Sequence, residues 1–267
     1  MSFKVNDNYL VFSYFVILTF IFMVGGGCMS EYNLATNRQE TLLYGTDKEI
    51  KIGDAIAAQV EKNLPLSTDV EANERVQRVL EGIAAVCDRQ ELVYTIKIID
   101  EDKLNAVSLP GGYIYIYKKL LDKLTTDDEL AAIIGHEIGH IAAKHAMKRL
   151  QGSYAYVLLT VLAASSGNAQ VAQGVQTAYM SLFLAYSRED EFQSDELGIK
   201  YMKKAGYNPE AMLTVLKILQ DEERREPLRE LSYWRTHPHL GERIAATNKT
   251  IKGQLEFRDY LNLTGNE

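Results

Sequence analysis

The stretch Gly135-His136-Glu137-Ile138-Gly139-His140 lies inside a helical pattern that runs unbroken from Thr126 to about Leu150. It has the spacing H-E-x-x-H. Four residues of α-helix advance about 400°, so His136 and His140 leave one face a turn apart and can hold one metal ion between them. Thr126-Asp127-Asp128-Glu129 forms a capping box at the N-terminal end, and Lys144, Lys148 and Arg149 suit the negative C-terminal end. Leu130, Ile134, Ile138 and Ile141 make an apolar stripe that the two histidines flank. Ala131, Ala132, Gly135, Gly139, Ala142 and Ala143 cover much of the remaining surface. Two mid-helix glycines cost about 1 kcal/mol each relative to alanine, so the pattern predicts another backbone packed against this small side. Three of the five histidines fall within ten residues here, which argues against a chance match.

A hydrolytic zinc site takes three protein ligands and keeps one position for water, so a third ligand must come from elsewhere. The extension H-E-x-x-H-x-x-G-x-x-H fails, because positions 143 and 146 are alanines. His145 would leave a different face of a continuous helix. No Asp or Glu occurs between Ile141 and Arg188, and the first carboxylates after that gap are Glu189, Asp190 and Glu191. They lie in a second helical pattern, from about Val171 to Lys204, on which Leu184, Glu191, Asp195, Ile199 and Met202 share a side. Glu189, Asp190 and Glu196 read as a solvated charge run. Glu191 and Asp195 face inward, where a carboxylate is costly unless it meets a metal or a donor. Glu191 is therefore assigned as the third ligand and Asp195 as the acceptor for an imidazole N–H.

The motif helix and Glu191-Phe192-Gln193-Ser194-Asp195 occur together with Asn105-Ala106-Val107-Ser108-Leu109-Pro110-Gly111-Gly112, Thr236-His237-Pro238 and Arg243. In that combination the chain resembles the M48 metallopeptidases, which include HtpX, Oma1-like and bacterial periplasmic lipoprotein proteases. Ser194 stands where that family usually has alanine. The resemblance implies a predominantly helical α+β fold, a zincin-like metalloprotease domain with a small β-sheet beside the motif helix. It implies one Zn2+ per chain on His136, His140 and Glu191, Glu137 as catalytic base, and Asp195 in support of catalysis. His237 would lie close to the metal, stabilising the tetrahedral intermediate or filling the open coordination position in a resting form. Asn105, Ala106, Val107 and Ser108 would offer an edge to extended polypeptide substrate.

Outside these motifs, a net charge of −7 without a basic stripe argues against a nucleic-acid partner. The apolar run Tyr9 to Val24 ends in Gly25-Gly26-Gly27-Cys28, so residues 1–27 read as a lipoprotein-type signal peptide with Cys28 as the lipidation site. The alternative is an uncleaved anchor, although the run is shorter than the roughly twenty residues of a spanning helix. Either reading puts the domain on the periplasmic side of a bacterial envelope, anchored to a membrane. Cys87 is then left as a lone buried thiol.

Residues 28–45 read as a tether, 46–252 as the peptidase domain and 253–267 as a tail. Amphipathic helices are predicted over Asp47 to Asn63 and Asp69 to Val86, the second burying Val70, Val76, Val79, Leu80 and Ile83. Val93 to Ile99 and Tyr113 to Tyr117 alternate as strands, the latter with isoleucines on one face and tyrosines on the other. Tyr154 to Ser165 and Val171 to Tyr186 suggest a helical hairpin, either in the core or at a membrane interface. A helix should start at Asn208-Pro209 and reach Asp221, followed by a charged stretch to Glu230 suited to a flap, and a last helix spans Leu240 to Lys252.

The combined expectation is a membrane-tethered zinc endopeptidase acting on extracytoplasmic proteins. The competing expectation is a lipoprotein chaperone or assembly factor whose zinc is structural, with His237 as a permanent fourth ligand.

Overall fold

The computed structural model describes residues 29–42, 44–152 and 185–253. The signal segment with Cys28, the expected helical hairpin over 154–184 and the tail beyond 253 lie outside the described residues. The chain opens with a β-hairpin of β1 (Met29–Asn33) and β2 (Arg38–Leu42), followed by α1 (Thr46–Asn63) and α2 (Val70–Ala84). A second sheet contains β3 (Thr95–Ile99), β4 (Ala106–Ser108) and β5 (Tyr113–Tyr117). Then come α3 (Lys118–Lys123), α4 (Asp127–Ala142) and α5 (His145–Gly152), and after the gap α6 (Arg188–Ala205), α7 (Ala211–Arg225), α8 (Tyr233–Thr236) and α9 (Leu240–Ile251). The architecture is a helix-dominated α+β fold.

The strand order is β3-β5-β4, with β5 central, parallel to β3 and antiparallel to β4. Alternation along β5 sends Ile114 and Ile116 to a core shared with Val76, Val79, Leu80 and Ile83 of α2 and Leu130, Ile134 and Ile138 of α4. The opposite face is covered as well. Tyr115 and Tyr117 pack with Ile56, Ala57 and Val60 of α1 and Met147 and Leu150 of α5. The tyrosine face is thus a second core, with the Tyr115 hydroxyl donating to Glu61 Oε1 at 3.1 Å at its rim.

The small-residue side of α4 meets α6, as the glycines predicted. A Cβ built on Gly139 would lie 2.8 Å from the carbonyl oxygen of Ser194, and one on Gly198 would lie 3.0 Å from the backbone nitrogen of His136. These positions admit no side chain. Both helices carry the capping boxes that their first turns encode: Thr126 with Glu129 on α4, and Ser187 with Asp190 on α6.

Several expectations are corrected. The motif helix is not continuous to Leu150: Lys144 adopts φ 56°, and the chain turns before resuming as α5. The α6 helix does not run on from Tyr186, because Ser187 caps a new start and Tyr186 N–H donates instead to Thr236 O at 3.0 Å. The expected tether over 28–45 contains the β1–β2 hairpin, held to the α4–α5 corner. Asn33 Nδ2 donates to Ala142 O at 3.0 Å, Lys144 to Glu31 at 2.7 Å and Lys148 to Glu40 at 2.7 Å. Val70, at the first turn of α2, is exposed rather than buried. Helix α7 extends through Arg225, taking half of the expected flap, with Glu222 paired to Lys123. Cys87 is buried as expected, beyond the end of α2. No helix among the described residues is long and apolar enough to cross a membrane.

Two stability outcomes follow. Gly139→Ala should lower the unfolding free energy by about 1–3 kcal/mol in a urea titration, since the new methyl meets backbone that cannot rotate away. Burial would raise the Glu40 carboxyl, but Lys148, Thr36 and Asn33 outweigh it and hold it below the usual range. That contribution is present above the unfolded pKa and lost as pH falls through the folded one. Wild type should therefore lose more stability than Glu40→Gln between about pH 6 and pH 3.5.

Candidate metal centre

Four elements converge beneath β4. Helix α4 contributes His136, Glu137 and His140, α6 contributes Glu191 and Asp195, and His237 follows α8, with Arg243 on α9. One donor atom each from His136, His140, Glu191 and His237 lies within 4.8 Å of the others, and all four side chains are buried. Glu191 oxygens stand 3.6 Å from His136 Nε2 and 3.4 Å from His140 Nε2. The two Nε2 atoms are 2.9 Å apart.

The chemistry of this set fits a cation. His136 Nδ1 faces Asp195 Oδ1 at 2.8 Å, and a carboxylate only accepts, so the proton sits on Nδ1 and Nε2 presents a lone pair. Glu191 Oε1 and His237 Nε2 are buried without a hydrogen-bond partner, and Glu191 Oε2 meets only the Arg243 guanidinium. Each such group left unmet costs about 1–3 kcal/mol, and a divalent ion would satisfy several of them together.

Burial, helped by Arg243, pushes His136 down to about 4. Burial and the neighbouring His136 imidazole hold His140 and His237 well below the usual range. The imidazoles are therefore neutral at pH 7, which is the ligating form. Burial raises Glu191 well above the ordinary carboxylate range despite Arg243. It pushes Glu137 up to about 7, with Ser108 and Arg243 pulling the other way. Asp195 is the exception: burial would raise it, but Arg243 and His136 outweigh that and keep it low.

Arg243 ties the centre together. Its Nε and Nη2 grip Asp195 as a fork at 2.8 and 2.6 Å, and Nη1 lies 2.5 Å from Glu191 Oε2. The same Nη1 donates to His237 O at 3.4 Å. His237 is stacked on Tyr233, with ring centres 4.2 Å apart, and its Nδ1 lies 2.8 Å from Thr236 Oγ1. Thr236 in turn reaches Asn105 Oδ1 at 3.2 Å. Of the four residues expected to meet substrate, Ala106, Val107 and Ser108 form the edge strand β4, whereas Asn105 precedes it and packs against the His237 segment.

Sequence reasoning missed two neighbours. Tyr186 stacks on His140 at 3.8 Å between ring centres, and the Arg149 guanidinium lies over the Tyr186 ring, 3.6 Å from its centre. His145, set aside as lying on another face, is brought back by the turn at Lys144 until its Nδ1 is 2.9 Å from His140 Nδ1. The clustering of three histidines was the available signal. The turn that uses it was not legible.

Residues 71–251 match the family model described as Peptidase family M48. Mitochondrial metalloendopeptidase OMA1 of Schizosaccharomyces pombe is 29% identical over 169 residues, 63% of this chain and 50% of that protein. The beta-barrel assembly-enhancing protease of Escherichia coli K12 is 22% identical over 224 residues, 80% of this chain and 45% of that one. A putative beta-barrel assembly-enhancing protease of Vibrio cholerae is 25% identical over 188 residues, 67% and 39% respectively. The chain spans half or less of the length of these relatives.

Removing the guanidinium should be severe. Arg243→Met should lower the unfolding free energy by about 3–5 kcal/mol, because two buried carboxylates lose their cation. Arg243→Lys should recover only part of it, since an ammonium cannot reproduce the fork. Equal denaturation midpoints for wild type and Arg243→Met would contradict this account.

Proposed function

The chain belongs to peptidase family M48, and from that premise we propose that it is a zinc endopeptidase with one Zn2+ on His136, His140 and Glu191. The observation that carries the reading is the convergence of one buried donor atom from each of those residues, with the two imidazole Nε2 atoms crowded 2.9 Å apart. When bound, zinc supplies a Lewis acid that lowers the pKa of water and polarises the scissile carbonyl. Glu137, with its carboxyl near 7, takes the proton of the attacking water on a carboxylate oxygen and delivers it to the leaving amine. Asp195 holds the Nδ1 proton of His136 and so keeps Nε2 free to ligate. The edge of β4 hydrogen-bonds an extended substrate backbone and lays the scissile bond over Glu137.

His237 acts as a gate. It offers a donor atom to the same cluster, so it would occupy the position otherwise open to water in a resting form and would have to leave it for turnover. The substrates are extracytoplasmic polypeptides, misfolded or membrane-associated, and the protein is a periplasmic-side lipoprotein anchored through Cys28. The lipobox-like Gly25-Gly26-Gly27-Cys28 and the bacterial relatives named for β-barrel assembly support that location. The second reading, an assembly factor with a closed structural zinc, is favoured by the same four-donor cluster.

The deciding experiment measures casein cleavage and zinc content on the same samples of the full chain in detergent. Wild type should carry one zinc and cleave. Glu137→Gln should keep zinc and fold while losing at least about a hundredfold in rate. His237→Ala should keep zinc and cleave faster. Cleavage by zinc-loaded Glu137→Gln would remove Glu137 from the mechanism, and loss of zinc and fold in His237→Ala would favour the assembly factor.

A further inference from the structure

We propose that His145 is a positioning residue of the metal centre: fixed by Asp190 and Gln193, it accepts the Nδ1 proton of His140 and leaves His140 Nε2 free to ligate. The inference rests on the metal-site reading above and deepens it.

The direction of the chain follows from its far end. His145 Nε2 lies 2.9 Å from Gln193 Oε1 and 3.3 Å from Asp190 Oδ1. A carboxylate has nothing to donate, so Nε2 carries the proton even if the Gln193 amide is reversed. The neutral ring then has its lone pair on Nδ1, which faces His140 Nδ1 at 2.9 Å. His140 must donate across that contact. The opposite direction would put the His140 proton on Nε2, where it faces His136 Nε2 at 2.9 Å and cannot bind a metal. The Ser194 hydroxyl, 3.3 Å from the same His145 nitrogen, is a second donor to it.

The two metal histidines are thus oriented by the same helix in two ways. His136 reaches the α6 carboxylate Asp195 directly, and His140 reaches the α6 carboxylate Asp190 through the His145 ring. The left-handed turn at Lys144 makes the second route possible, since it returns His145 to the face it would leave in a continuous helix. His145 is buried, as are His140 and Ser194 that face it.

The test uses the full chain, with zinc affinity from chelator competition, the visible spectrum of the Co2+-substituted protein, and metal-free melting. His145→Phe should weaken zinc binding by about 10–100-fold and shift the cobalt bands, a larger loss than the drop in metal-free melting accounts for. His145→Gln should recover most of the affinity, because its Oε1 can accept from His140 while its Nε2–H₂ donates to Asp190. If His145→Phe does not fold, Asp190→Asn takes its place and should weaken zinc severalfold. Unchanged affinity and spectrum in His145→Phe, or in Asp190→Asn, would overturn the proposal. So would a loss that Gln does not recover and that appears equally in metal-free melting. A wild-type chain that binds no zinc would instead defeat the metal-site reading itself.

Discussion

The approach of α4 to α6 without side chains between them is the constraint on which the rest depends. Gly135 and Gly139 on one helix and Gly198 on the other bring backbone against backbone. Ordinary helix pairs stand 8–10 Å apart according to the side chains at their contact. With no side chains between the backbones here, a glutamate on one helix comes within 3.6 Å of two imidazoles on the other. Mid-helix glycine costs stability locally, and here it allows the backbone contact that the crossing requires. The capping boxes at Thr126 and Ser187 then fix where each helix begins, and so which residues stand at the crossing.

Charge forms the second layer. Glu137, Glu191 and Asp195 are all buried, and Arg243 is the buried guanidinium that faces them. When the three carboxylates are ionised, one guanidinium leaves the pocket two charges negative, a deficit that a divalent ion closes. Buried charges are tolerable only with such compensation. Arg243 also joins α9 to α6 and to the His237 backbone, so that helix helps fix the position of the acidic and imidazole groups although it contributes none of the four donors.

Much of this was legible in the sequence because its causes are local. Helical period, capping residues, the small face of α4 and the inward pair Glu191 and Asp195 need only neighbours within a turn or two. What was not legible depends on distant partners. A lysine in left-handed backbone carries no signature, yet Lys144 redirects His145. The polar hairpin over 29–42 has little strand character of its own and is held by Ala142, Lys144 and Lys148. The tyrosines of β5 alternate like a wet face, but α1 and α5 cover them.

The β1–β2 hairpin has a mechanical consequence. It begins at Met29, immediately after Cys28, and its grip falls on the corner where α4 hands over to α5. Tension applied at the start of β1 passes through Glu31 and Asn33 to Lys144 and Ala142, the residues flanking the turn that carries His145. The metal-centre corner and the first described strand therefore share one load path. A pull on the hairpin would thus reach the histidine cluster before it reached the sheet.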